Sequence, residues 1–186
     1  MEKLATSVPE VWEVRPRVFS DSRGFFLESY NRTRFLDLGI ADVFVQDNHS
    51  CSSKDTLRGL HYQLNHPQAK LCRVIQGSAL DVAVDIRVGS PHFGKWTSVL
   101  LSEKVQNQIY IPAGFAHGFL ALTERVQFLY KCSEFYVPDD EHGIAWNDPN
   151  INITWGISAP LISEKDAKLP LLANTPAELL PRFDRR

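Results

Sequence analysis

Between Leu57 and Arg73 the chain reads LRGLHYQLNHPQAKLCR, and strand-like alternation there carries an arginine, a histidine and a lysine: Arg58, His61 and Lys70. Histidine titrates close to neutrality, so His61 beside a cation has the makings of a proton-abstracting base next to a clamp for negative charge. A turn at Asn65–His66 would set His61 across from Lys70 on a partner strand. Strict alternation groups Leu57, Gly59, His61 and Gln63 on one face and puts Arg58 on the other. Arg58 then reaches the site only through a strand end, a bulge or a partner chain. The plainer alternative is a hydrogen-bonded core histidine with Lys70 snorkelling to water.

Other segments offer further groups. IPAGFAHGF sets His117 after a Pro-x-Gly turn, ALDVAVD carries Asp81 on its polar face, and FLYKC groups Tyr130 with Phe128 and Cys132 by period two. SEKD offers Lys165 and Asp166. Singly, each has an ordinary structural explanation, such as a core tyrosine or a first-turn helix acid. A strand metal site commonly shows two histidines at i and i+2, whereas Gln63 follows His61 at that spacing. Although His61, His66 and His117 share a β-rich chain, no metal is expected.

The elements that must hold these groups are mostly strands. Short apolar or alternating runs recur, including VWEVRPRVF, GFFLESY, VFVQDNHS, AKLCRVIQG, KWTSVLLS, NQIYIP and VQFLYKCSEFYV, broken by Gly, Pro, Asn and Asp. That rhythm predicts an all-β sandwich or barrel. A helix is expected over NRTRFLDLG, capped by Asn31 and stopped by Gly39, and a second short one after Ser163. AELLPRFDRR reads as a docked or loose tail. The length of 186 residues suits one domain spanning 1–186, with enough core to need no staple. A net charge of −2 leaves no basic excess for nucleic acid or an anionic membrane. Three cysteines without a CxxC pair suit a reducing compartment. With no signal-like start and no run of membrane-span length, a soluble cytoplasmic protein is expected.

Taken together, RGLHYQ, KLCRV, DVAVDIRVGSPHFGKW, IPAGFAHGF, FLYKC, GIAWNDP, ITW and SEKD, with DSRGFFLESY and VQDNHS before them, resemble the dTDP-4-dehydrorhamnose 3,5-epimerase family. The resemblance runs from about Phe19 to Asp166. It implies a cupin-type jelly roll with a few short helices, a homodimer with an exchanged N-terminal arm, and a tail from about residue 170. It also implies action without metal or cofactor on a dTDP-linked 4-keto-6-deoxy sugar. The ketone at C4 acidifies the C3 and C5 hydrogens, and an enolate reprotonated on its other face inverts the centre. By resemblance His61 is the base, Asp166 its carboxylate partner, Lys70 the oxyanion clamp and Tyr130 the acid. Asp81 and His117 would contact the sugar. Arg23, Glu28, Gln46, Asp47, Asn48, Arg58, Tyr136, Glu141 and Lys165 would bind the nucleotide sugar, with Tyr136 stacking on thymine. The chain departs from the family pattern at QAK, where Gly is common before the lysine, and at GSALD, where Glu is common after the glycine. A monoepimerase or ketoisomerase on the same sugar class is the alternative; a cupin-fold binding protein or oxygenase is disfavoured by the intact acid–base set.

Overall fold

The computed structural model describes residues 1–183. In chain order its elements are β1 (Glu2–Ala5), β2 (Trp12–Arg15), β3 (Val18–Asp21), β4 (Gly24–Leu27), α1 (Arg32–Asp37), β5 (Gln46–Ser53), β6 (Leu57–Gln63), β7 (Lys70–Gln76), β8 (Ser78–Asp85), β9 (Trp96–Ser102), β10 (Gln108–Ile111), β11 (Phe115–Ala121), β12 (Arg125–Cys132) and β13 (Glu141–Gly143). Two antiparallel sheets, β1-β2-β10-β7-β12-β5 and β13-β6-β11-β8-β9, build the jelly roll, and β3 and β4 form a separate hairpin. The predicted all-β class with few helices is what the structure has.

The strand facing β8 shows why this sandwich has two cores. Alternation puts Ala79, Asp81 and Ala83 on one face and Val82 and Val84 on the other, and both faces are buried. The face carrying Asp81 looks between the sheets, where Ala79 and Ala83 meet Val74, Leu101, Ile109, Phe119 and Phe128. Val82, Val84 and Ile86 point outward, under a layer from the C-terminal third that includes Ile144, Trp155, Leu172 and Leu180. The tail is therefore docked: the Tyr62 hydroxyl donates to the Leu179 carbonyl at 2.9 Å, and Phe183 N–H donates to the Val88 carbonyl.

Helix α1 ends as expected. The Asn31 side chain accepts from Arg34 N–H at 3.3 Å. Gly39, at φ +80°, lets Ile40 N–H reach the Phe35 carbonyl, and Phe35 and Ile40 bury together in a third cluster. After Ser163 the structure has a 3-10 turn, Asp166–Lys168, rather than the expected helix; Ser163 Oγ still accepts from Asp166 N–H at 3.0 Å. The run VFVQDNHS becomes strand only from Gln46, because Val43 and Val45 lie about half exposed outside the sheet.

Two corrections concern the region of His61 and Lys70. The hairpin expected at Asn65–His66 does not exist: β6 pairs with β11 and β13, while β7 pairs with β10 and β12, in the opposite sheet. The link crosses the sandwich. Asp140 anchors it, accepting from Asn65 N–H at 2.9 Å and His66 N–H at 2.7 Å. Alternation also breaks inside β6. His61 faces His117 and Arg58 faces Phe119, so Gly59 and Leu60 together oppose Gly118 alone. This bulge switches the phase and brings Arg58 to the same side as His61, while Leu57 and Leu60 both bury in the outer core. Gly59 sits at φ +110°, and a Cβ there would lie 2.6 Å from the His117 carbonyl oxygen, so the bulge requires glycine.

Candidate active site

One end of the space between the sheets is filled with side chains; the other opens as a cavity of about 660 Å³. β6 supplies Arg58 and His61 to its wall, β11 His117, β7 Lys70 and β12 Tyr130. β5 adds Gln46 and Asn48, and the C-terminal segments add Tyr136, Glu141, Lys165 and Asp166. His61 therefore faces Lys70 and Tyr130 from the other sheet. Lys70 pairs with Cys132 and Tyr130 with Cys72, so Lys70 and Tyr130 project diagonally from one face.

His61 Nε2 lies 2.7 Å from Asp166 Oδ1. With Asp166 ionised, Nε2 carries the proton and Nδ1 is left as the proton acceptor. Asp166 Oδ2 accepts from Gly59 N–H at 3.3 Å. Burial by itself would raise the Asp166 carboxyl, but the His61 hydrogen bond and charge, with Gly59 and Ser163, hold it below its usual range. Burial pushes the Tyr130 phenol up to about 12, partly offset by Arg58, so its hydroxyl keeps its proton at neutral pH. Arg58 is steadied by Nε donating to Ser52 Oγ at 3.1 Å.

His117 is held from behind. Its Nε2 lies 2.9 Å from Asp81 Oδ1 and 3.9 Å from Cys72 Sγ. Asp81 does not line the cavity; it is fully buried, so the expected direct sugar contact is corrected to an action through His117. Cys72, Asp81 and His117 bring their donor atoms within 4.8 Å of one another. Burial pushes both the Asp81 carboxyl and the Cys72 thiol up, and both lean on the same His117 nitrogen. That is a hydrogen-bonded cluster, not a set of anionic ligands. His66 lies elsewhere, half exposed, with its Nδ1 3.2 Å from Asp140.

At the cavity mouth, Tyr136 is tied down twice. Its N–H donates to Gln46 Oε1 at 2.9 Å and its hydroxyl to Glu141 Oε2 at 3.1 Å. Glu141 Oε2 also accepts from the Lys165 ammonium. Asn48 reaches Cys132 Sγ at 3.6 Å.

The cavity thus has a base oriented by a carboxylate, a protonated phenol on the facing sheet, and cations between them. The model of the dTDP-4-dehydrorhamnose 3,5-epimerase family matches residues 5–174. The chain belongs to this family. It is 51% identical over 168 residues to the 3,5-epimerase of Pseudomonas aeruginosa, covering 89% of this chain and 93% of that one. Among solved structures, a Legionella pneumophila 3,5-epimerase in complex with dTDP-4-keto-L-rhamnose is 46% identical, with a TM-score of 0.96 over 99% of both chains. A 3'-monoepimerase of Streptomyces bikiniensis in complex with dTDP-quinovose is 35% identical, with a TM-score of 0.87 over 95% of this chain and 91% of that one.

Three residues that the family resemblance put at the nucleotide sugar do not line the cavity. Arg23 sits at the tip of the β3–β4 hairpin, 86% exposed and paired with Asp21 at 2.6 Å. Glu28, just beyond the hairpin, meets Asn31 and Arg34. Asp47 faces outward and binds Lys131 at 2.8 Å. Sequence reasoning missed Gln63 and Asp140, which shape the mouth from behind. Gln63 accepts from Val137 N–H at 2.8 Å and donates to the Phe135 and His66 carbonyls. Their partners lie about 70 residues away in the chain, so no local spacing marks them.

Proposed function

We propose that this chain is a dTDP-4-dehydrorhamnose 3,5-epimerase that inverts C3 and C5 of dTDP-4-dehydro-6-deoxy-D-glucose, on the way to dTDP-L-rhamnose. The observation that carries the reading is the acid–base pair split between facing sheets, His61 on β6 and Tyr130 on β12. Epimerisation needs removal and return of a proton on opposite faces of the ring. His61 Nδ1 takes the proton from carbon while Asp166 holds Nε2–H and stabilises the imidazolium. Lys70 meets the C4 oxygen as it becomes an enolate, where a fixed cation contributes most. Tyr130, protonated by virtue of its burial, delivers a proton from the other side. His117, oriented by Asp81, hydrogen-bonds the sugar.

The nucleotide end lies at the mouth, with Tyr136 stacking on thymine and Arg58 at the pyrophosphate, supported by Gln46, Asn48, Glu141 and Lys165. The working form is a homodimer of 1–186 single-domain chains. Phe19, Phe25 and Phe26 on the hairpin are 51%, 59% and 70% exposed, an apolar surface that a monomer leaves in water. Set against the partner's cavity mouth, the hairpin brings Arg23 and Glu28 to the partner's nucleotide. The enzyme is cytoplasmic, a reading supported by the three free cysteines; among the described residues no helix is long and apolar enough to cross a membrane.

The decisive experiment follows solvent deuterium into the sugar by NMR, position by position. Wild type is expected to label and invert both C3 and C5, and His61→Asn to label neither. Labelling by His61→Asn at a near wild-type rate removes His61 as the base. Inversion at one centre only makes the chain a monoepimerase.

A further inference from the structure

Glu141 is the second carboxylate at His61. β13 pairs with β6 so that Gly143 stands opposite His61 and Glu141 opposite Gln63, which sets Glu141 diagonally beside the imidazole. Glu141 Oε1 lies 3.8 Å from His61 Nδ1, the nitrogen that Asp166 leaves free. The two carboxylates differ in what lies behind them. Asp166 is 5% exposed and its second oxygen is spent on Gly59 N–H. Glu141 Oε2 holds Lys165 and Tyr136, which are respectively 55% exposed at the side chain and 48% exposed overall.

Inverting two centres in one binding event has a proton cost that a single acid–base pair does not cover. His61 takes a proton from the first carbon and must lose it before it can take the second. Tyr130 must be recharged in the same interval. Asp166 is closed to water and already engaged by Nε2–H, so it gives no way out. We propose that Glu141 is the proton outlet of His61, carrying the proton from Nδ1 to the water at the Tyr136–Lys165 rim. This rests on the epimerase reading above. In the step, the Nδ1–H bond breaks as an Oε1–H bond forms, and water at the rim then takes that proton. His61 returns to the neutral base and Glu141 to the carboxylate. The Tyr130 phenolate takes a proton from water at the facing wall, so the cycle has no net proton change. Burial would raise the Glu141 carboxyl, but the hydrogen bond from Lys165 and the nearby His61 hold it below its ordinary range. Such a group passes a proton on and does not store it.

The test uses the full-length enzyme with Glu141→Gln, which keeps the side-chain length and an acceptor for Lys165 and Tyr136 but carries no proton. In dilute buffer, kcat for the doubly inverted product is expected to fall about 10-fold or more, an increase of about 1.4 kcal/mol or more in the barrier. The singly inverted sugar should accumulate, labelled at one centre, while affinity for free dTDP stays within about twofold, a shift of about 0.4 kcal/mol. Added imidazole should restore kcat in proportion to its concentration in the variant and leave wild type unchanged. An unchanged kcat, or a fall that imidazole does not restore, overturns the outlet. Should Glu141→Gln fail to fold, Glu141→Ala with added acetate is decided by the same two outcomes. Wild type in deuterated water is the control. If it labels neither C3 nor C5, the epimerase reading itself fails, whatever Glu141 does.

Discussion

Replacing Tyr130 by phenylalanine separates the acid from the core. The ring packs beside Phe128, at a centroid distance of 6.1 Å, and its far end opens on the cavity. Tyr130→Phe keeps that packing and removes one hydroxyl, so stability should change by at most about 0.5–1.5 kcal/mol, the net worth of one hydrogen bond. The effect on the reaction should be much larger. A positioned acid contributes about 10²–10⁴-fold in rate, equivalent to about 2.7–5.4 kcal/mol of barrier. Binding of dTDP should survive, because the Tyr136 end of the mouth is untouched. The base also survives, so His61 can still remove a proton and return a solvent-derived one on its own side. The expected signature is deuterium in the sugar with retained configuration, alongside a steep loss of inversion. The assay is NMR of the sugar in deuterated water, read for both label and stereochemistry, with urea unfolding of the same sample. Inversion by Tyr130→Phe at near wild-type rate refutes the assignment and makes water or another side chain the acid. Loss of both label and inversion from a folded variant that still binds dTDP also refutes it, since the base alone should exchange protons.

Asp140 makes stability fall in acid. Burial would raise its carboxyl, but four hydrogen bonds from Asn65 and His66 hold it at about 2. A folded value below the unfolded one stabilises the fold above about pH 4, and that stabilisation is lost as pH falls through about 2. The depression is equivalent to about 2.5 kcal/mol, and about 1–2 remains after screening by nearby water. Urea unfolding of Asp140→Asn against wild type should show that gap at pH 6 and a smaller one at pH 2; equal gaps would contradict the linkage. At the nucleotide end, Tyr136→Ala should weaken dTDP binding by about 1–3 kcal/mol, as for a stacked base. Arg23→Ala should weaken it too, but only if the hairpin reaches a partner cavity. Unchanged dTDP affinity in a dimeric Arg23→Ala protein would remove the exchanged arm from the site.

The sequence alone determined what depends on a few neighbouring residues. Asn31 and Gly39 set both ends of α1, since each acts on backbone groups within one turn. Period two put Tyr130 with Phe128 and Cys132, and β12 keeps that phase. The residue types for a base, a clamp and an acid were also legible, in motifs whose order carries the family. Tertiary structure decided how those groups meet. His61 and Asp166 are 105 residues apart in the chain, and His117 and Asp81 are 36. His61 and Lys70 were read as neighbours across a hairpin, yet they belong to opposite sheets, because turn residues mark a bend and say nothing about which strand pairs next. Arg58 joined the site through an extra residue at Gly59, a bulge fixed by the close approach of β11 and invisible in the alternation of β6 itself. Asp81 sat on a face that composition called polar and packing made the interior, because the C-terminal layer buried the other face as well. Parity along a strand is local; which side of the strand is the inside depends on what the rest of the chain lays over it.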